Sequence, residues 1–245
     1  MKNNLIAIFK KVLPALKKSA GQNYYPWEEE EKQLLAELHS YYSLVKSLII
    51  VRLDAIGDSL LFTNSMNQIR LLFPEAKITY VCYLETKEII DRCEFIDVPV
   101  YIDRNLLSIN KAYREKVYAS MQGYQFDLLI NPLFSREFLA EEIIHFICAD
   151  FKIGLSGDDS NIDPVLLKVT DRWYDFILET DTVHNKFELH RNAEIVKLLG
   201  GVSDQTKLPE LWTNREDGDF ISNFVQQYHL DDYAVIFPGT KGGKN

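Results

Sequence analysis

The stretch Ser47-Leu48-Ile49-Ile50-Val51-Arg52-Leu53 constrains the fold more than any other. Apolar side chains at consecutive positions leave a strand no water-facing side, so the run reads as a parallel strand covered on both faces. It leads into Asp54-Ala55-Ile56-Gly57-Asp58, a turn, after which Ser59 to Phe73 takes a helical period and stops before Pro74. Lys77 to Tyr83 reads as a second strand. Val98 to Ile102, Phe126 to Asn131 and Lys152 to Leu155 are further strands, with helical stretches near 84–92, 108–121 and 136–148. Strand and helix alternate, which predicts an α/β fold with a doubly wound parallel sheet.

The flanks read differently. Over residues 4–18, Leu5, Ile8, Phe9, Val12 and Leu16 recur at helical spacing with lysines mostly opposite, and Pro14 is expected to kink the helix. The acidic run Glu28 to Glu31 opens a second helix, so residues 1–46 form a helical extension ahead of the main fold. Beyond Gly157 a polar loop leads to Val165 to Val169, read as a strand. Helices follow over 183–199, ending at Gly200-Gly201, and over 214–228. Tyr233 to Phe237 reads as a final strand.

Composition narrows the function. Charged residues number 27 basic and 36 acidic for a net charge of −9, which disfavours a nucleic-acid binder because phosphate neutralisation needs clustered cations. Residues 1–20 hold Lys2, Lys10, Lys11, Lys17, Lys18 and no acid. That basic amphipathic helix suggests contact with an anionic membrane surface, with packing on the protein's own surface as the alternative. Cys82, Cys93 and Cys148 share no CxxC spacing, so neither a disulfide framework nor a zinc knuckle is expected. No apolar run approaches the ~20 residues that span a bilayer, and Lys10, Lys11 and Pro14 interrupt any signal-peptide core. A cytoplasmic protein is expected.

Three segments carry polar chemistry. Asp58 stands at the carboxyl end of the first strand, where open α/β sheets bind ligands, with Gly57 allowing a tight turn. The alternative is that Asp58 merely caps the following helix. One glycine is too few for the GxGxxG turn of a dinucleotide site. Pro238-Gly239-Thr240-Lys241-Gly242-Gly243-Lys244 offers flexible backbone donors, a hydroxyl and cations, either a diphosphate cradle or a solvated terminus. Asp217-Gly218-Asp219 spells the DxD of metal-dependent sugar transferases, but it opens a helix, where acids serve as caps. No metal site is expected.

In this order the segments resemble glycosyltransferase family 9, the ADP-heptose:lipopolysaccharide heptosyltransferases. Ile50-Val51-Arg52-Leu53-Asp54-Ala55-Ile56-Gly57-Asp58 is similar to the family's opening strand and loop. Phe73-Pro74-Glu75-Ala76-Lys77-Ile78, Phe126-Asp127-Leu128-Leu129-Ile130-Asn131, Ile153-Gly154-Leu155, the helix from His190-Arg191-Asn192, and Val235-Ile236-Phe237-Pro238-Gly239-Thr240 resemble its later segments. The resemblance implies two Rossmann-like domains of GT-B type. Residues 47–229 would be the acceptor-side domain and residues 230–245 the first strand and loop of an incomplete donor domain, leaving the 245-residue chain inactive alone.

It further implies metal-independent, inverting transfer of a sugar, heptose above all, from a nucleotide-sugar such as ADP-heptose to a lipid-linked or oligosaccharide acceptor. Asp58 takes the position of the general base, and Gly239, Thr240 and Lys244 that of the donor-diphosphate residues. Arg52 and Gly57 fall on the acceptor side, with tethering of the loop as the other role for Arg52. Asp54 replaces a more usual Ser or Thr, either raising the Asp58 pKa by repulsion or capping the turn. The family's Arg/His-Trp-Pro after the lysine is missing. The competing reading is a non-catalytic module that binds a glycan or a partner.

Overall fold

The computed structural model describes residues 2–20, 28–180, 187–202, 208–231 and 233–234. Most of the Tyr233–Phe237 strand, together with Gly239, Thr240 and Lys244, lies outside the described residues.

Six strands build one all-parallel sheet: β1 (Ser47–Val51), β2 (Lys77–Tyr83), β3 (Val98–Ile102), β4 (Gln125–Ile130), β5 (Cys148–Leu155) and β6 (Phe176–Leu178). Their order is β3-β2-β1-β4-β5-β6, so the winding reverses between β1 and β4. The crevice beyond the carboxyl ends of those two strands is where such sheets bind ligands. Among the described residues ten α-helices accompany them: α1 (Lys2–Ala20), α2 (Glu29–Tyr42), α3 (Ile56–Leu72), α4 (Lys87–Ile90), α5 (Arg104–Ile109), α6 (Lys111–Gln122), α7 (Phe138–Phe146), α8 (Pro164–Thr170), α9 (Glu188–Leu198) and α10 (Arg215–Gln227).

Alternation along β1 explains the two layers. Ile49 and Val51 join a buried cluster with Leu107, Val117, Ile143 and Ile144 from α5, α6 and α7. Leu48 and Ile50 point the other way, toward α1, α2, α3 and α9, and are equally buried. A strand apolar at every position is what a sheet sandwiched between helices requires.

One expectation is corrected, and one open alternative gains support. Residues 165–169 are not a strand but lie in α8. The Asp163 carboxylate accepts from the Val165 and Leu166 amides and Pro164 starts the helix, so capping and a preset φ outweigh the β-branched residues. The apolar stripe of α1 is not free for a membrane. Phe9, Val12 and Leu16 are fully buried, and the Phe9 ring lies 5.0 Å from Phe176 and 6.4 Å from Phe151. Burying such a side chain is worth roughly 1.5–3 kcal/mol, which a bilayer would have to replace. Lys17 instead pairs with Glu179. Tyr42 of α2 donates to the Leu199 carbonyl at 3.0 Å, so the helical extension is stitched to α9.

Residues 1–211 form one compact unit and residues 212–245 a second. In the second, α10 begins with a capping box in which the Asn214 and Asp217 side chains each accept the other's backbone N–H. Asp217 of the DxD is thus occupied as a cap, as its place at a helix start predicts. Among the described residues no helix is long and apolar enough to cross a membrane.

Candidate active site

The site grows out of the loop after β1. Arg52 is 1% exposed, and its guanidinium lies over the Phe62 ring at 4.2 Å. Burying a cation is costly unless carboxylates and hydrogen-bond acceptors surround it. Here Nε lies 2.6 Å from Asp54 Oδ2, Nη2 donates to Glu188 Oε1 at 3.1 Å, and Nη1 donates to Asn192 Oδ1 at 3.1 Å. Nη2 also reaches the Asp58 carbonyl at 3.4 Å. Asn192 passes the connection on by donating to the Leu61 carbonyl at 3.2 Å. One guanidinium therefore ties the β1 loop, the start of α3 and the start of α9 together. Of the two roles open to Arg52, tethering is the one this geometry supports.

Asp54 and Asp58 stand four residues apart in very different settings. Asp54 is mostly buried, pairs with Arg52 and accepts from Ser59 Oγ at 2.7 Å. Burial raises its pKa above the ordinary carboxylate value, and Arg52 and Ser59 pull it back only in part. Asp58 is exposed on the first turn of α3. The capping alternative for Asp58 fails, because the cap position belongs to Ala55, which offers no side-chain acceptor. Gly57 also sits in this turn rather than in a strained bend. Its φ is not positive, and a Cβ there would meet nothing within 4 Å.

Across the crevice the loop after β4 supplies the other wall. Asn131 is fully buried, and its Oδ1 accepts from the Leu133 amide at 3.1 Å, bending the chain. Gly157, at φ +59, lies so close to Phe134 that a Cβ would come within 1.9 Å of its carbonyl oxygen. Asn161 donates to the Ser135 carbonyl at 3.4 Å. Between the walls is a cavity of about 230 Å3. Its lining joins Arg52, Asp54, Asp58 and Glu188 on one side with Leu133, Phe134, Ser135 and Asn161 on the other. Larger hollows lie elsewhere, one of about 420 Å3 beside Ile49 and Phe126, but they are apolar and lack such convergent polar groups.

Sequence reasoning reached Arg52, Gly57 and Asp58 but missed Glu188, Ser135 and Asn161. Each of these comes from a loop or helix start distant in the chain, and only strand order brings it to the crevice.

No protein-family model matches the chain, and no curated protein sequence does. Solved structures do. A glycosyl transferase family 9 structure from Veillonella parvula superposes with a TM-score of 0.61 at 15% identity, over 79% of this chain and 55% of that one. The E. coli heptosyltransferase WaaC with ADP-2-deoxy-2-fluoro heptose gives 0.53 at 15% identity, over 66% of this chain and 50% of that one. The same enzyme with ADP gives 0.50 at 18% identity, over the same shares. At such identities the likeness speaks for the fold. The chain has the Rossmann-like α/β fold of GT-B, family 9 glycosyltransferases, and it spans about half the length of the structures it matches.

Proposed function

We propose that the chain is the acceptor-side part of a glycosyltransferase of the heptosyltransferase type, with Asp58 as its general base. The observation that carries the reading is the pairing of a committed carboxylate, Asp54, with an exposed one, Asp58, at the mouth of a polar cavity on the sheet's switch point. Among the described residues Asp58 forms no ion pair of its own, which leaves it available to a substrate proton.

In this mechanism an acceptor hydroxyl enters the cavity and its proton moves to Asp58. The oxygen attacks the anomeric carbon of a nucleotide-sugar from the face opposite the diphosphate. The new C–O bond forms as the bond to the diphosphate breaks, inverting the centre. Positioning by the Arg52-tethered loop and general-base assistance contribute separately. Gly239, Thr240 and Lys244 are assigned to the diphosphate by resemblance, where cations and donors would stabilise the charge that develops. No metal is invoked, which agrees with Asp217 serving as a helix cap. Heptose as the sugar, ADP as the nucleotide and a lipopolysaccharide-type acceptor extend the same resemblance. That WaaC was solved with ADP-2-deoxy-2-fluoro heptose supports the donor class.

The test is sugar transfer from nucleotide-sugars to a glycan panel by the chain supplied with a family 9 donor-binding domain, comparing Asp58 with Asp58→Asn. Loss of a general base lowers turnover by roughly 100–10,000-fold. Near-normal turnover by a folded Asp58→Asn protein removes Asp58 from the chemistry.

A further inference from the structure

We propose that the chain carries a second binding site, at the amino ends of β1, β2 and β3, for a free aliphatic carboxylate with a single unbranched chain. It lies at the end of the sheet opposite the candidate active site and is independent of the transferase reading.

A cavity of about 420 Å3 opens between α6 and the sheet face that carries Ile49. Its floor is Ile49 of β1, Thr79 of β2, Val98 and Val100 of β3, and Phe126 of β4. Ser47, Lys77 and Val98, also in the lining, are the first residues of their strands, which fixes the cavity at the amino ends. Asp58, by contrast, follows the carboxyl end of β1. The space exists because its walls are short: serine, threonine and valine leave unfilled what larger side chains would close. Interiors otherwise pack closely, and this volume falls in the ~300–1,000 Å3 range of ligand pockets. Its hydroxyls are engaged within the fold. Ser47 Oγ accepts from the Asp127 amide at 3.0 Å, and Ser120 Oγ donates to the Val117 carbonyl at 2.7 Å. What the wall offers a ligand is therefore mainly hydrocarbon.

The head group follows from the rim. Lys77 is the only charged residue among the described residues of the lining. It is exposed, and among the described residues it forms no ion pair. The acids around it are committed elsewhere. Asp127 accepts the Lys46 and Ser47 amides at 2.7 and 2.8 Å, and Asp97 pairs with Arg70. Lys46 Nζ turns back to the Ser43 carbonyl at 3.4 Å. Glu75, two residues before Lys77, and Lys116, one turn before Ser120, are exposed and of opposite sign. An exposed ion pair at Lys77 contributes little by itself, so the chain carries the affinity and the carboxylate sets the orientation. Neighbouring strands lie ~4.8 Å apart, so crossing from β1 to β3 takes ~10 Å, the reach of an extended chain of about eight carbons. Met121, unbranched and adaptable, yields room for a few more.

The probes are hexanoate, octanoate, decanoate and dodecanoate below their micelle concentrations, with decyltrimethylammonium as the cation. Vesicles of a two-chain phosphatidylglycerol represent a bilayer. Each is titrated into the full 245-residue chain labelled with carbon-13 at the methionine methyl groups. Of the three methionines, Met121 lines the cavity, whereas Met66 is buried on α3 against Cys93. Met121 should shift to saturation and Met66 should not. Affinity should tighten about four-fold per added methylene and level off near dodecanoate, once the cavity is full. Decanoate should bind about five- to ten-fold more tightly than the cation, and Lys77→Gln should bring the two within about two-fold. Val100→Phe should abolish binding by filling the space. Ser120→Leu, at an exposed helical position that accepts leucine, should weaken it roughly ten-fold and keeps the test decisive if Val100→Phe does not fold. Affinity that ignores chain length, or binding that leaves Met121 unmoved and survives Ser120→Leu, overturns the site. So does the absence of saturable binding by any of the acids. A cation held as tightly as decanoate overturns the carboxylate assignment. Vesicles that shift Met121 when decanoate does not would make the occupant a bilayer and overturn the free acid.

Discussion

Two arginines, Arg52 and Arg136, lie on either side of the sheet's switch point, one after β1 and one after β4. Both are almost fully buried, both sit near an aromatic ring, and both are neutralised by two carboxylates. Their surroundings differ. Arg52 borders the open cavity and ties three segments, the β1 loop and the starts of α3 and α9, into one frame. Arg136 faces inward to Glu141, whose carboxylate also takes hydrogen bonds from Asn131 Nδ2 at 3.0 Å and Tyr174 Oη at 2.9 Å. The same solution to burying a cation thus shapes a site once and seals a wall once. In the proposed reading, the exposed carboxylate beside Arg52, Asp58, assigns the chemistry to that side.

Removing either cation should give the largest stability loss. Arg52→Met and Arg136→Met each leave buried carboxylates without their partner, a defect that costs about 3–5 kcal/mol. Urea unfolding checks this. Adding Glu141→Gln to Arg136→Met should recover much of the loss, because a neutral pair no longer needs a cation. Only Arg52→Met should also disturb ligand binding. If Arg136→Met unfolds within about 1 kcal/mol of the wild type, the buried pair does not hold the wall and the two arginines are not equivalent devices.

The wall itself can be tested at Gly157. Its left-handed backbone and the 1.9 Å approach to the Phe134 carbonyl leave no room for a Cβ. Gly157→Ala should destabilise by about 1–3 kcal/mol, the range for strained backbone positions. It should also weaken glycoside binding by moving Phe134. Full stability together with weakened binding would show that the loop yields without strain, and that the wall is softer than the Arg52 side.

Much of the sheet was legible because its strands are consecutive apolar runs; Lys77–Tyr83 is read from sequence with the bounds the structure has. The three-residue β6, flanked by Asp175 and Glu179, is too short to leave such a signature. Val165–Val169 misled because its β-branched residues outweighed the Asp163-Pro164 start signal beside it. Asp58 was visible because strand, turn and helix are contiguous in sequence. The partners of Arg52 were not, since Glu188 and Asn192 lie 136 and 140 residues away and only the packing of α9 on α3 brings them close.

A pH series separates the two regions more gently. Burial is the leading cause that raises both Glu141 and Asp54 above the ordinary carboxylate value, with Arg136 and Arg52 offsetting part of it. A carboxyl with a raised folded pKa binds its proton more tightly when folded. Its contribution to stability is therefore fully present below the unfolded value and is lost as pH rises through the folded one. The stability of the wild type relative to Glu141→Gln should fall across that window. A difference that grows with pH would mean that pairing with Arg136 outweighs burial.

The smallest effect is expected at Gly57, and it probes the cavity mouth. Gly57 lies in the first turn of α3 with ordinary backbone angles and open space where a Cβ would be. Nothing in the fold requires glycine there. Alanine restricts the unfolded chain and favours the helix, so Gly57→Ala should leave the protein as stable as before or stabilise it by about 0.4–1 kcal/mol. Gly57 directly precedes Asp58, so an added methyl group stands one residue from the cavity lining. If that space is used, glycoside binding or transfer falls although the protein is no less stable, and Gly57 takes the acceptor-side role its position suggests. If both stability and binding hold, the glycine is incidental and the site is defined by Asp58, Glu188 and the opposite wall alone. Thermal unfolding and glycoside titration on the one variant decide between them, because a fold defect lowers both measurements and a blocked site lowers binding alone.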